Sequence, residues 1–236
     1  MPPTLVIAKR EFKAYFTGPI AYVYLTAFLG LSSWFFFRTF FLSGQTTLRA
    51  FFGLTPWLFL FFIPAVTMGK WSEERRLGTD EILFTLPLHD RSIILGKFLS
   101  GLFFVVLSLL LTLPLVFTVS QLGKLDLGPV WGGYVALFLL AASFLSMGLF
   151  ASTLSKNQIV AFLLGVVLCF LFFVLGESLI LSHAPASLAP LLSYLSVQTH
   201  FESMGRGVLD TRDWVYYLSF ISFFLYLNRI SLMRRR

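Results

Sequence analysis

The feature that most constrains this chain is a set of long stretches without Asp, Glu, Lys or Arg: Pro19–Phe37, Ala50–Gly69, Phe98–Gly123, Leu127–Ser155 and Asn157–Gly176. A helix needs about 20 apolar residues to cross roughly 30 Å of hydrocarbon. Inside that layer each backbone polar group must find its partner within the segment, which a helix achieves by itself. These stretches therefore predict five membrane-spanning helices. A sixth, Trp214–Asn228, holds 15 uncharged residues; Arg229 can snorkel to the headgroups and let Ile230–Met233 lengthen it.

Composition points the same way. Hydrophobic residues make up 57% of the 236 and charged residues 12%, against about 25% charged in a soluble domain. A soluble enzyme, a nucleic-acid-binding domain and a disordered regulator are excluded, and the bilayer is the main solvent. The predicted fold is an all-α membrane protein of six transmembrane helices in one domain, residues 1–236, with spans near 19–38, 50–70, 97–121, 129–153, 157–181 and 213–232. Ser178–Thr199 is also free of Asp, Glu, Lys and Arg, but contains Pro185, Pro190 and His183. It reads as a broken, re-entrant outer segment (about 183–211) that must be covered by other spans.

Charge sets the orientation. With six spans, one side collects thirteen basic residues, including Lys9, Arg10, Lys13, Lys70, Arg75, Arg76, Lys97 and Arg234–Arg236, while the other collects five: Arg38, Arg49, Lys124, Arg206 and Arg212. The positive-inside rule then puts both termini in the cytoplasm. The start of the chain lacks the small-residue cleavage site of a secretory signal, so the first span is expected to stay in the mature protein. Cys169 stands alone in an apolar run and reads as a buried, inert thiol.

Two cytoplasmic elements carry pattern. Leu5, Ala8, Phe12 and Tyr15/Phe16 recur at helical spacing (about 4–16), with Lys9, Arg10 and Lys13 on the other face. Such a helix lies in the headgroup plane with its cations toward lipid phosphate; an unstructured basic lead is the competing reading. After the second span comes Lys70-Trp71-Ser72-Glu73-Glu74-Arg75-Arg76-Leu77-Gly78-Thr79-Asp80-Glu81-Ile82-Leu83-Phe84-Thr85-Leu86-Pro87. Gly78 can end one helix and Thr79 cap the next. Asp80 and Glu81 then lie where the helix dipole favours negative charge, and Pro87 helps to stop it. A solvated loop that only sets topology is the alternative.

Other chemistry is sparse. His200 and Glu202 are two residues apart, which on a helix turns them to different faces. There is no G-x-x-x-x-G-K-[ST], so the chain cannot hydrolyse ATP by that route. Glu73-Glu74 begins like the E-E-x-x-x-R motif of intramembrane proteases, but its sixth position is Gly78 and no span supplies the histidines. An ion-coupled secondary transporter would need midplane polar groups.

The segment from Glu73 to Pro87 resembles the E-x-x-R-x-G-T-x-E-x-L-x-x-x-P signature of membrane (permease) subunits of type-2 ABC (ATP-binding cassette) exporters, nearest the gliding-motility-associated permeases. It is similar also to the permease of the nitrous-oxide-reductase maturation transporter. The run Tyr194-Leu195-Ser196, His200-Phe201, Arg206-Gly207-Val208-Leu209-Asp210 is similar to that subgroup's ending before the last span. The resemblance implies a short coupling helix between spans 2 and 3 that docks on a separate ATPase subunit through Glu73, Arg76, Gly78, Thr79, Asp80, Glu81, Leu83 and Pro87. It also implies that the N-terminal element, with Lys9, Arg10, Phe12 and Lys13, is the family's connecting helix. No cofactor is expected in this chain, ATP and Mg being held by the partner ATPase. The implied assembly is a homodimer, or a heterodimer with a second membrane subunit, in the bacterial inner membrane, with room for an outer-side accessory protein. The implied task is export, or force transmission, driven by ATP hydrolysis elsewhere.

Overall fold

The computed structural model describes residues 2–79, 89–185, 187–207 and 210–233. Among them the chain is all helix: α1 (Pro3–Thr17), α2 (Ile20–Ser43), α3 (Arg49–Thr67), α4 (Gly69–Leu77), α5 (Asp90–Leu110), α6 (Leu113–Leu122), α7 (Leu127–Leu154), α8 (Gln158–Val174), α9 (Ser178–His183), α10 (Ala189–Leu195), α11 (Val197–Gly205) and α12 (Thr211–Met233). Five helical stretches are long and apolar enough to cross a membrane: α2, α3 with α4, α5 with α6, α7 and α12. The sixth apolar helix, α8, has 17 residues, about 25 Å at the helical rise of ~1.5 Å per residue.

The bundle is organised around α7. Of its most apolar window 83% is buried, against 28% for α2, and α3, α4, α5, α8, α11 and α12 all pack on it. Its sequence explains this position. Gly132, Gly133, Ala141, Ala142, Ser143, Ser146, Gly148, Ala151 and Ser152 are buried along its length, and small residues let neighbouring backbones approach closely in a membrane bundle. A Cβ on Gly132 would lie 2.6 Å from the Met204 carbonyl oxygen, and one on Gly133 would enter the Phe52 ring. Asp126 caps the helix by accepting the Gly128 N–H at 3.0 Å.

Proline and glycine decide where the other helices break. The segment predicted near 97–121 begins at Asp90 and divides at Leu111–Thr112. Pro114 brings no N–H and crowds the carbonyl four residues back; beside the break the Thr112 hydroxyl donates to Leu109 O at 2.6 Å and meets the Tyr134 hydroxyl at 3.0 Å. The segment predicted for 157–181 stops as a helix at Val174. There Ser196 Oγ donates to the Phe173 carbonyl at 3.3 Å. Gly176 has no side chain to collide with the Ser196 and Thr199 hydroxyls. The first predicted span runs past Arg38 to Ser43 and is closed by Gly44 at φ 60°.

Aromatic rings fill the remaining volume. Tyr24, Phe28, Phe59 and Phe62 pack together between α2 and α3, and Phe150, Phe172, Phe220 and Phe224 join α7, α8 and α12. Edge-to-face pairs of this kind add about 0.5–1.5 kcal/mol each beyond the area they bury.

Candidate functional site

Helix α1 crosses α5 at Gly96, where a Cβ would sit 2.7 Å from the Ile7 side chain and 3.1 Å from the Thr4 carbonyl oxygen. That close approach presses one face of α1, including Ala8, Glu11, Phe12 and Tyr15, against the bundle. Glu11 is the chemical exception on that face. Its Oε2 accepts from Lys70 Nζ of α4 at 2.8 Å, and its Oε1 from Lys97 Nζ of α5 at 3.2 Å. Lys97 also donates to Glu74 Oε1 at 2.5 Å and to the Lys70 carbonyl at 3.0 Å.

With its side chain 1% exposed, Lys97 has three acceptors for its three ammonium protons. Two carboxylates against two ammonium groups leave the cluster neutral, which offsets the large cost of burying each charge singly. Aromatic faces complete it: Lys70 Nζ stands 3.8 Å above the Tyr15 ring and Lys97 Nζ 4.8 Å from the Trp71 ring. Burial pushes the Glu11 carboxyl up, but Lys97 and Lys70 outweigh it and hold the group below the ordinary carboxylate value.

The junction between α3 and α4 is pinned to α7. Ser152 Oγ accepts from the Trp71 and Ser72 N–H groups at 3.0 and 3.2 Å and donates to the Met68 carbonyl at 2.8 Å. A side chain inserted into the backbone ladder is an established cause of a break, and here it also satisfies first-turn donors of α4. Arg75 Nη1 donates to the Thr153 carbonyl at 2.5 Å. Helix α4 is thus held by α7 on one side and by the Glu11–Lys97 cluster on the other, and it leads directly into the charged segment after Gly78. Among the described residues no group of His, Cys, Asp and Glu could hold a metal ion. The arrangement can carry displacement of α4 into α1, α5 and α7.

The profile described as ABC-2 family transporter protein matches residues 54–229, about three quarters of the chain. The chain belongs to the ABC-2 transporter family. It is a multi-pass membrane protein, and membership implies an ABC ATPase as partner, ABC-2 permeases being in general non-catalytic membrane subunits. No curated relative matches the chain significantly.

In this ABC-2 permease Gly78 closes α4 at φ 71°, its N–H donating to the Glu74 carbonyl. Only glycine enters that left-handed region without strain. Thr79 turns back, its hydroxyl donating to the Glu74 carbonyl at 3.3 Å. Glu73 and Arg76 are exposed and 3.7 Å apart on one face of α4. Asp80, Glu81, Leu83 and Pro87 lie outside the described residues, as do Val208, Leu209 and the basic tail. Lys9, Arg10 and Lys13 are exposed along α1, whereas Phe12 packs on Phe16 and Phe103 at ring-centroid distances of 5.3 and 6.4 Å. None of the expected site residues that are described belongs to the buried cluster.

The cluster is hard to see in the sequence because Lys70 and Lys97 stand at the edges of apolar runs, where a charge marks a span boundary. A usable signal existed. Glu11 follows Ala8 by three and precedes Tyr15 by four, so it shares the apolar face of α1. Lys97 stands likewise in register with Ile93 and Ile94 on α5.

The segment between α9 and α12 is fixed by a second polar cluster. His200 Nδ1 lies 2.7 Å from Asp213 Oδ1 and Nε2 lies 3.1 Å from the Tyr194 carbonyl oxygen, while the ring stacks on Tyr216 at 3.9 Å. Tyr216 and Tyr217 donate to the Leu195 and Val197 carbonyls at 2.7 and 3.0 Å. These bonds tie α10 and α11 to α12. Glu202 turns elsewhere, to Gln198 Nε2 at 2.9 Å.

Proposed function

We propose that the chain is a transmembrane subunit that couples ATP hydrolysis in a separate ATPase to export across, or force transmission through, the bacterial inner membrane. In this reading α8 is the fifth of six spans, both termini are cytoplasmic, and α1 lies in the headgroup plane with Lys9, Arg10 and Lys13 toward lipid phosphate. The segment carrying Glu73, Arg76, Gly78, Thr79, Asp80, Glu81, Leu83 and Pro87 docks on the ATPase, and two such membrane subunits, identical or sister, complete the path. The gliding-motility-associated permeases remain the subgroup whose motif this chain resembles.

The observation that carries the proposal is the burial of Lys97 between Glu11 and Glu74. It ties α1 to the two helices that flank the docking segment, α4 before it and α5 after it. Closure of the ATPase dimer would pull on α4. The ion pairs and the Ser152 bridge would pass that pull to α1, α5 and α7, so that the spans tilt together.

Purification of the tagged chain from its native membranes in mild detergent tests the reading. A stoichiometric partner carrying G-x-x-x-x-G-K-[ST] is the expected result. Recovery of the chain without any ATPase, even after crosslinking at Asp80, would overturn it.

A further inference from the structure

The carbonyls of Ser193, Tyr194 and Leu195 end α10, and no later turn of that helix supplies them with N–H groups. Each meets a donor from further along the chain: the Thr199 hydroxyl at 2.8 Å, His200 Nε2 at 3.1 Å and the Tyr216 hydroxyl at 2.7 Å. The other nitrogen of the same ring, Nδ1, lies 2.7 Å from Asp213 Oδ1. A carbonyl and a carboxylate both accept, so both ring nitrogens must carry protons to make the two bonds. A neutral imidazole has one N–H and the imidazolium has two. Were the Nδ1 proton to move along its bond onto Asp213, it would still belong to the pair.

The surroundings suit a cation. The ring stacks on Tyr216 at 3.9 Å, with Tyr194 and Tyr217 edge-on at 5.7 and 6.4 Å, and aromatic faces attract positive charge. Asp213 is 4% exposed and its Oδ2 is shielded without a partner, so among the described residues His200 is the one side chain bonded to this carboxylate. A buried carboxylate without a counter-charge is costly.

No other charge competes for the ring. Of the helices packed on α11, α7 and α8 carry no Asp, Glu, Lys, Arg or His. Their titratable residues Tyr134 and Cys169 meet the Thr112 hydroxyl and the Phe144 carbonyl. The titratable residue of α10 is Tyr194 itself. On α11, Glu202 is turned to Gln198, which also serves Glu177, and Arg206 bonds the Glu202 carbonyl. On α12, Arg212 is exposed, while Tyr226 and Arg229 lie far along the helix.

We infer that His200 and Asp213 form a proton-operated latch. While the pair holds two protons it ties α10 and α11 to the start of α12; loss of one breaks the polar side of that attachment. The remaining proton can serve only one of the two acceptors, and the other then faces a nitrogen lone pair. The apolar side of α11, with Val197, Phe201 and Met204, still packs toward α7. The tie is therefore complete at low pH and weakens as pH rises through the loss of the second proton. This needs neither ATP coupling nor the membrane orientation proposed above.

The test uses the full chain in detergent, without ATPase or ATP. Nitrogen NMR of labelled histidine follows the His200 ring, assigned by its loss in His200→Gln, as pH is raised from about 5, where histidine begins to change charge, until the second proton leaves. Amide exchange, corrected for its intrinsic pH dependence, is measured over the same points. Protection of α10 and α11 should fall at least about tenfold as that proton leaves, the worth of one charge-assisted hydrogen bond, while the middle of α7 stays unchanged. His200→Gln should show the low protection at every pH, and His183→Gln should keep the full response. Flat protection while the ring titrates would overturn the inference. So would a ring already singly protonated at the acid end of the series, or an equal pH response in His200→Gln.

Discussion

Lys97 Nζ lies 2.5 Å from the Glu74 carboxylate across the junction of α4 and α5, with the lysine side chain 1% exposed. A contact this dry behaves differently from a surface ion pair. Its net contribution is modest while both partners are present, but removal of one leaves an uncompensated charge.

Lys97→Met should therefore destabilise the subunit by about 3–5 kcal/mol, measured as a drop in detergent melting point. The double change Lys97→Met with Glu74→Gln should recover part of that loss, because the stranded carboxylate disappears. Additive losses in the double variant would argue that the two residues do not interact.

Ser152→Ala removes one hydroxyl that serves Trp71, Ser72 and Met68 together. The expected cost is about 1–3 kcal/mol, since buried backbone donors go unpaired. Faster proteolysis within α4, with α12 unaffected, is the local signature to look for.

Acid should weaken the attachment of α1. The Glu11 carboxyl is held below its ordinary value of 4.5, so the unfolded chain takes up its proton before the folded one does. Stability from this group is complete above that ordinary value and is lost as pH falls through the folded value. Glu11→Gln should show a flatter dependence of melting point on pH below about 4.5 than the unaltered chain. Identical profiles would remove Glu11 from the acid response.

Gly78→Val places a β-branched residue at φ 71°, at a cost of about 1–3 kcal/mol of local strain. Membrane insertion should persist while ATPase association or stimulation falls. Association and activity both unchanged would sink the docking role of the segment that follows.

Much of the architecture was legible before any coordinates. Uncharged runs located the five long apolar helices found among the described residues, because a charge inside hydrocarbon is costly enough to mark a boundary. Gly78 was readable as a helix end, since the left-handed cap suits glycine. The apolar face of α1 was readable from Ala8, Phe12 and Tyr15. Where two helices are interrupted, at Leu111–Thr112 and after Val174, side chains distant in sequence take part: Tyr134 meets the Thr112 hydroxyl at 3.0 Å, and Ser196 donates to the Phe173 carbonyl at 3.3 Å.

Local pattern, then, decides what each segment of this chain can be: membrane-spanning, interfacial or turn. That follows from hydrophobicity and helical period, which act over one or two turns. The tertiary structure alone decides what α4 is tied to. Lys97 meets Glu74 23 positions away and Glu11 86 positions away, and Ser152 reaches Trp71 across 81. No local period encodes such pairs. They exist because a buried charge or an interrupted helix must find its partner wherever the packing of α1, α5 and α7 brings one within hydrogen-bonding reach.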